Sequence, residues 1–292
     1  MALVNEGGLT DGPGPDAAEA VCIQREGGKN PLSANYHLGQ AARWPIERLM
    51  RARWFPLMRT YRLRTNWLYD MCRIAATRDF RTLFDVGANV GQTAGAMAGY
   101  FPSAAIHSFE PVNDTFLALR QNVRRWPGVR AHKLAMGRKS GSREIEIQEN
   151  SELNTLAALP NAPTASARLE TVEISTLDEF CVKQGIDGID VLKTDAQGGD
   201  VDVLAGADGL VSGGRVAFVY AEVSFQPDDR VNTHFAGLND FLVARKFRLF
   251  GFYEQFGGTH AGGGYLQFCN ALYVHRGALK SRFRHLDHQA PG

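Results

Sequence analysis

Cysteine is scarce and scattered in this 292-residue chain. Cys22, Cys72, Cys181 and Cys269 stand far apart and form no CxxC pair, which suits a reducing compartment better than a disulfide framework or a zinc knuckle. An excess of charge is also missing. With 32 Lys and Arg against 31 Asp and Glu, no global field draws the chain to nucleic acid or a membrane surface. No stretch approaches the roughly 18 apolar residues that a membrane span needs. The opening "MALVNEGGLTDGPGPDAAEA" offers Gly, Pro and acids where a secretory signal would place an apolar run. A soluble cytoplasmic protein is therefore expected.

Residues 1 to 40 carry no sustained periodicity and read as a disordered leader. "RWPIERLMRARWFPLMRTYRLRTNW" follows, with seven arginines (43, 48, 51, 53, 59, 62, 64) against the single acid Glu47, and with Pro45 and Pro56 cutting any helix short. This basic arm is either a solvated helical segment with packed aromatics or a docking surface for an anionic partner. "WLYDMCRIAATR" reads as a helix leading into the first strand, which completes a segment over 41–80.

From residue 81 strands and helices alternate. "RTLFDV", "AAIHSF" and "VRAHKLAM" read as strands one to three, separated by the helices "GQTAGAMAGYF" and "NDTFLALRQNVRRWPG". "REIEIQ" and "LETVEIS" look like a hairpin around the polar stretch 149–168, which is either a cover for a pocket or an exposed insertion. Thr176 with Glu179 forms a capping box for "LDEFCVKQG", and Gly185 ends that helix. "IDVLKT" and "RVAFVYAEV" are strands four and five, then a helix "NTHFAGLNDFLVARKF" precedes "FRLFGFY" and "LQFCNALYV". The alternation predicts an α/β fold with a mostly parallel sheet covered on both faces. The last two strands lack an intervening helix, so one of them runs antiparallel; residues 276–292 are left as a tail.

The chemistry sits at the carboxyl ends of these strands, where open α/β sheets bind ligands. In "DVGANVG", Gly87 and Gly91 allow close backbone approach, and the helix that follows offers free N–H groups. Asn89 stands where a dinucleotide fingerprint needs its second glycine, and no Gly-Lys-Ser/Thr follows to make a P-loop. Asp85 at the strand end favours a ligand carrying a cation. Glu110 in "HSFEP" ends the second strand, where a carboxylate accepts hydrogen bonds from ribose hydroxyls. A nucleoside with a cation and an amino-acid tail, S-adenosylmethionine, satisfies both turns. In "LKTDAQGGDVDVLAGA", Asp195 ends the fourth strand with Gln197 next. Lys193 shares the parity of Asp195, so the two can salt-bridge on one face; alternatively Asp195 caps the next helix.

With these elements in place, residues 81 to 275 resemble the FkbM family of S-adenosylmethionine-dependent methyltransferases, through "FDVGANVGQ", "FEP", "STLDEF", "DVLKTDAQGGDVDVLAGA" and "AEVSF" in the family's order. The resemblance implies the seven-stranded class I methyltransferase sheet, with the last strand antiparallel, and methyl transfer to a hydroxyl of a sugar, glycan or natural product. It also implies that Asp85, Gly87, Asn89 and Gly91 line the methionine end of the cofactor, that Glu110 holds its ribose, and that Asp195 and Gln197 border the methyl group. Asp200 departs from the Glu the family often carries there.

Candidate bases for the acceptor hydroxyl are Asp195 and Glu222 at strand ends, with His260 and His234 as alternatives. Asp195, Asp200 and Glu222 could supply oxygens to a divalent metal, but no ligand spacing demands one, and none is expected. A non-catalytic binding protein and a nicotinamide-dependent oxidoreductase are the competing readings. Asn89 speaks against the second. A nucleic-acid acceptor is disfavoured, since no Asp/Asn-Pro-Pro-aromatic turn follows strand four and no cysteine follows a proline. The oligomeric state is open.

Overall fold

A computed structural model describes residues 66–147, 168–229, 231–257 and 264–283. The leader, the arginine arm over 43–64, the polar stretch up to residue 167 and His260 lie outside the described residues.

The lead-in helix forms as α1 (Trp67–Ile74), with the Asn66 side chain accepting from the Tyr69 amide. The alternation then gives β1 (Thr82–Val86), α2 (Gln92–Tyr100), β2 (Ala105–Phe109), α3 (Asn113–Val123) and β3 (Val129–His132). Next come β4 (Ala135–Met136), β5 (Gly141–Ile147), β6 (Arg168–Ser175), α4 (Leu177–Gln184) and β7 (Ile189–Thr194). The chain continues through α5 (Asp200–Ala205), α6 (Asp208–Ser212), β8 (Val216–Ser224), α7 (Phe235–Ala244), β9 (Phe247–Gly257), β10 (Leu266–His275) and α8 (Arg276–Arg282). The capping box over α4 forms as the spacing predicts: Thr176 accepts from the Glu179 amide, and Gly185 closes the helix in the left-handed region at φ 65°.

Seven strands make the main sheet in the order β3-β2-β1-β7-β8-β10-β9. The neighbours from β3 to β8 run parallel, and β10 runs antiparallel to both β8 and β9. The expected reversal therefore falls on the last strand. After β3 the chain leaves the main sheet for β4–β6 and returns through α4, which sets β7 beside β1 while β3 stays at the opposite edge. This switch in strand order opens the crevice above β1 and β7.

Apolar residues fill both faces. Leu177, Phe180, Leu204, Leu210, Leu238 and Leu242 from α4 to α7 bury one side together with Phe84, Leu192 and Val219 of the sheet. Trp67 and Met71 of α1 and Met97 of α2 pack on the other side with Leu83, Val191, Phe218 and Leu272. The small residues of α2 admit close neighbours. A Cβ on Gly95 would lie 2.6 Å from the Trp126 ring.

Two readings change. "VRAHKLAM" is not one strand: β3 ends at His132, and Ala135–Met136 turn away to join β6 and β5 in a second, three-stranded sheet. β3 is an edge strand paired only with β2, so nothing holds its continuation in the main sheet. The tail boundary after 275 also moves. Residues 276–282 form α8, capped by His275 Nδ1 on the Ala278 amide at 2.9 Å. Ala278, Leu279 and Phe283 are buried against Phe80 and Phe218, and Arg282 pairs with buried Asp190. Among the described residues no helix is long and apolar enough to cross a membrane.

Candidate active site at the carboxyl ends of the strands

The turn after β1 is locked by its neighbours. Gly87 and Ala88 donate to the Phe109 carbonyl at 3.1 and 3.0 Å, and Asp195 donates to Val86 O at 3.1 Å. These bonds knit the ends of β1, β2 and β7 into one surface. Gly87 has φ 71°, and a Cβ there would stand 1.9 Å from the Asp195 carbonyl oxygen, so no other residue fits without moving the strand end. Gly91, at φ 93°, lies against Leu119 and Val123 of α3, each 2.9 Å from where a Cβ would be. Asn89 also takes a left-handed conformation, φ 47°. Asn tolerates that region better than most residues, and so it replaces the missing glycine of the fingerprint at modest cost.

Glu110, directly after β2, curls back under this turn. Its Oε2 accepts from the Asn89 amide at 3.1 Å and its Oε1 from the Val112 amide at 3.1 Å. Burial pushes its pKa up to about 7, the two amides and Lys193 opposing that rise. Each carboxylate oxygen keeps a second lone pair for a ligand hydroxyl.

Asp85, at the end of β1, is fully buried. The Lys193 ammonium lies 3.3 Å from Asp85 Oδ1, 3.4 Å from Asp195 Oδ2 and 3.1 Å from the Gly87 carbonyl. The Lys193–Asp195 pairing expected from strand parity is present, and Asp85 joins it because β1 and β7 are neighbours with Asp85 opposite Lys193. Burial is the largest influence on Asp85 and on Lys193. It raises Asp85, to which Lys193 answers only in part, and it opposes the charge on Lys193. With two carboxylates facing one ammonium, the fields of Asp195 and Asp85 keep Lys193 protonated and its pKa above the ordinary value.

The turn after β7 uses Asp200 rather than Asp195 as its brace. Gly199, not Asp195, is the N-cap of α5. Asp200 is buried; its Oδ1 accepts from the Ala196 amide at 3.1 Å and its Oδ2 from the Thr233 hydroxyl at 2.6 Å. Gln197, at φ 45°, folds back to donate to Asp195 Oδ1 at 2.9 Å. Both oxygens of Asp200 are thus engaged. Among the described residues no group of three or more His, Cys, Asp and Glu is disposed to hold a metal ion.

Glu222 stands near the end of β8. Burial raises its pKa to about 8, and the charges of Asp195 and Asp200 push the same way while Lys193 opposes. His234 sits at the N-cap of α7 with its Nε2 buried and without a hydrogen-bond partner. Thr233 and the Asp85–Lys193 contact were not foreseen from sequence. The one sequence signal for the latter is a lysine inside a fully buried strand, which needs a counter-charge from the strand beside it.

The strand order, the reversed last strand, the glycine turn after β1 and the acid after β2 define a class I methyltransferase fold. A model of the Methyltransferase FkbM domain matches residues 85–249, more than half of the chain, and the protein belongs to that family. Among curated relatives, the chain is 28% identical over 158 residues to Methyltransferase 1 of Beauveria bassiana, covering 48% of this chain and 64% of that protein. It is 26% identical over 175 residues to the hexuronic acid methyltransferase AglP of Haloferax volcanii, covering 56% and 70%. It is also 25% identical over 156 residues to the 2-O-methyltransferase NoeI of Sinorhizobium fredii, covering 49% and 63%. The matched segments thus span 63% to 70% of these relatives' lengths. Among solved structures, an FkbM methyltransferase from Methylobacillus flagellatus aligns with TM-score 0.43 and 15% identity, over 67% of this chain and 44% of that one. Aeropyrum pernix fibrillarin, with natively bound S-adenosyl-L-methionine, aligns with TM-score 0.39 and 12% identity, over 67% and 66%.

Proposed function

We propose that this protein is an S-adenosylmethionine-dependent O-methyltransferase that methylates a hydroxyl of a sugar, glycan or natural-product small molecule. The observation that carries the reading is Glu222, near the end of β8 beside β7, where burial and the charges of Asp195 and Asp200 raise its pKa to about 8. A pKa near 8 makes it a stronger base than an ordinary carboxylate, with about a tenth of it ionised at pH 7. Two curated relatives, a hexuronic acid methyltransferase and a 2-O-methyltransferase, support a hydroxylated acceptor.

The residues present fit the cofactor. Gly87 and Gly91 let the turn close against the Asp195 carbonyl and α3, where a Cβ would clash, and α2 begins at Gly91 without a side-chain cap, so the start of the helix offers amides to a carboxylate, that of Ala94 being already bonded to Asp85. Glu110 would hold the ribose hydroxyls, and Gly87, Asn89 and Gly91 would follow the methionine end. When bound, the sulfonium supplies an already activated methyl group. The chain's own work is to align the acceptor oxygen and remove its proton. Asp195, tied to Lys193 and Gln197, borders the transfer position with Gln197. Glu222, less encumbered, takes the proton. Asp85 is a positioning residue: it fixes Lys193, which holds Gly87 and Asp195 in place.

The test is Glu222→Gln with release of S-adenosylhomocysteine followed over a panel of hydroxylated acceptors. The expected result is a fall in kcat of about 10²- to 10⁴-fold with cofactor affinity held within about twofold. The wild-type rate should rise with pH through about 8 and lose that rise in the variant. Methylation at nitrogen or carbon, or an unimpaired variant, would sink the proposal.

A further inference from the structure

Beyond Glu222, the same face of the sheet continues outward into a feature that cofactor binding and proton removal leave unused. Because β10 runs antiparallel to β8 and β9, the carboxyl ends of β8 and β9 and the start of β10 project from one edge, the crevice edge. Asn270 lies directly opposite Glu222, and Phe268 directly opposite Ser224. Opposed residues of an antiparallel pair point to one face, so Asn270 and Phe268 extend the Glu222 face away from the cofactor turn.

On β9, Phe256 pairs with Phe268 whereas Tyr253 pairs with Asn270, so β9 holds one extra residue there, a β-bulge. Within it Glu254 takes φ 49°, a conformation costly for a residue with a long side chain. The bulge aims the carboxylate inward. Glu254 Oε2 accepts from Asn270 Nδ2 at 2.9 Å and the Tyr220 hydroxyl at 3.2 Å, while the side chain as a whole stays exposed. Beside it the rings of Phe256 and Phe268 stack at 4.8 Å and 17°, with Phe256 half exposed. A pre-oriented acceptor carboxylate next to an open aromatic platform is a built surface, and it is continuous with the candidate base.

We propose that Glu254, Asn270, Phe256 and Phe268 form the acceptor subsite and that it takes a neutral hexopyranose. This rests on the O-methyltransferase reading above. A pyranose ring has one face of polarised C–H bonds, which an aromatic face attracts, and a rim of hydroxyl donors, which a carboxylate accepts. A purely apolar acceptor would desolvate Glu254 without replacing its hydrogen bonds. A phosphate chain or uronate would meet Glu254 and Asp195 as like charges.

The experiment uses the full chain saturated with S-adenosylhomocysteine. Methyl glycosides of glucose, mannose, galactose and N-acetylglucosamine, with methyl glucuronide as the anionic comparison, are titrated by saturation-transfer NMR. Neutral glycosides should bind with saturation carried to ring C–H protons. Phe256→Ala and Glu254→Gln should each weaken them by about tenfold or more, with S-adenosylhomocysteine affinity unchanged. Equal glycoside affinity in both variants overturns the subsite. So does a glucuronide that binds more tightly than the glucoside, or a wild-type protein that binds no glycoside. In those cases hydroxyl methylation of a non-carbohydrate acceptor would leave the broader reading standing. Loss of both S-adenosylhomocysteine binding and hydroxyl methylation would remove that reading instead.

Discussion

Lowering the pH from 8 to 6 should weaken S-adenosylhomocysteine binding about tenfold, and Glu110 is the cause. In the ligand-free protein its pKa stands at about 7, raised by burial and only partly restrained by the Asn89 and Val112 amides. Ribose hydroxyls donate to the ionised carboxylate, so binding draws on the ionised fraction. With a pKa near 7 that fraction is about one tenth at pH 6 and about nine tenths at pH 8, and apparent affinity scales with it. Binding therefore releases a proton. Calorimetry in two buffers of different ionisation enthalpy would count it. Glu110→Gln should abolish the slope and weaken binding by about 10- to 100-fold, because one charged hydrogen bond is worth about 1.5–3 kcal/mol. Folding stability should move the opposite way. Glu110 has a folded pKa above its unfolded value of 4.5, so its contribution is full below about 4.5 and is lost as pH rises through 7, by on the order of 3 kcal/mol. A wild-type affinity that is flat from pH 6 to 8 would refute this account. An equal slope in Glu110→Gln would do the same, because it would belong to the ligand's amino group.

Three further outcomes follow from the packing beneath the site. Lys193→Met leaves Asp85 buried without its counter-charge and should cost about 3–5 kcal/mol in chemical denaturation; the double variant with Asp85→Leu should recover much of it, and no recovery would mean the pair does not act as a unit. Gly87→Ala drives a Cβ into the Asp195 carbonyl and should lower stability by about 2–4 kcal/mol, with cofactor binding lost even in protein that remains folded by circular dichroism. Thr233→Val removes the hydroxyl that Asp200 accepts at 2.6 Å. It should destabilise by about 1–3 kcal/mol and loosen the 195–200 turn, seen as faster amide exchange at Ala196.

Much of the fold was legible in advance because its signals are local. A buried strand needs an apolar run, a helix start needs Thr176 with Glu179, and a tight turn needs glycines at 87 and 91. Each of these is written within a few residues. The acids at 110, 195 and 222 could be assigned to strand ends for the same reason, since a strand's end is visible where its apolar run stops. The tail residues 278, 279 and 283 were missed because helix α8 is short and is stabilised by what it covers, not by its own pattern.

The sequence by itself determined the elements, their alternation and the chemistry available at their ends. The tertiary structure decided which of those groups meet. Asp85 and Lys193 are 108 positions apart in the chain, yet they face each other because β1 and β7 pair in parallel with that register. Burial decided the rest: it seals Asp85 from solvent and moves Glu110 and Glu222 toward neutral pKa values. Solvent exclusion depends on every layer packed around a group, and no local stretch of sequence contains those layers.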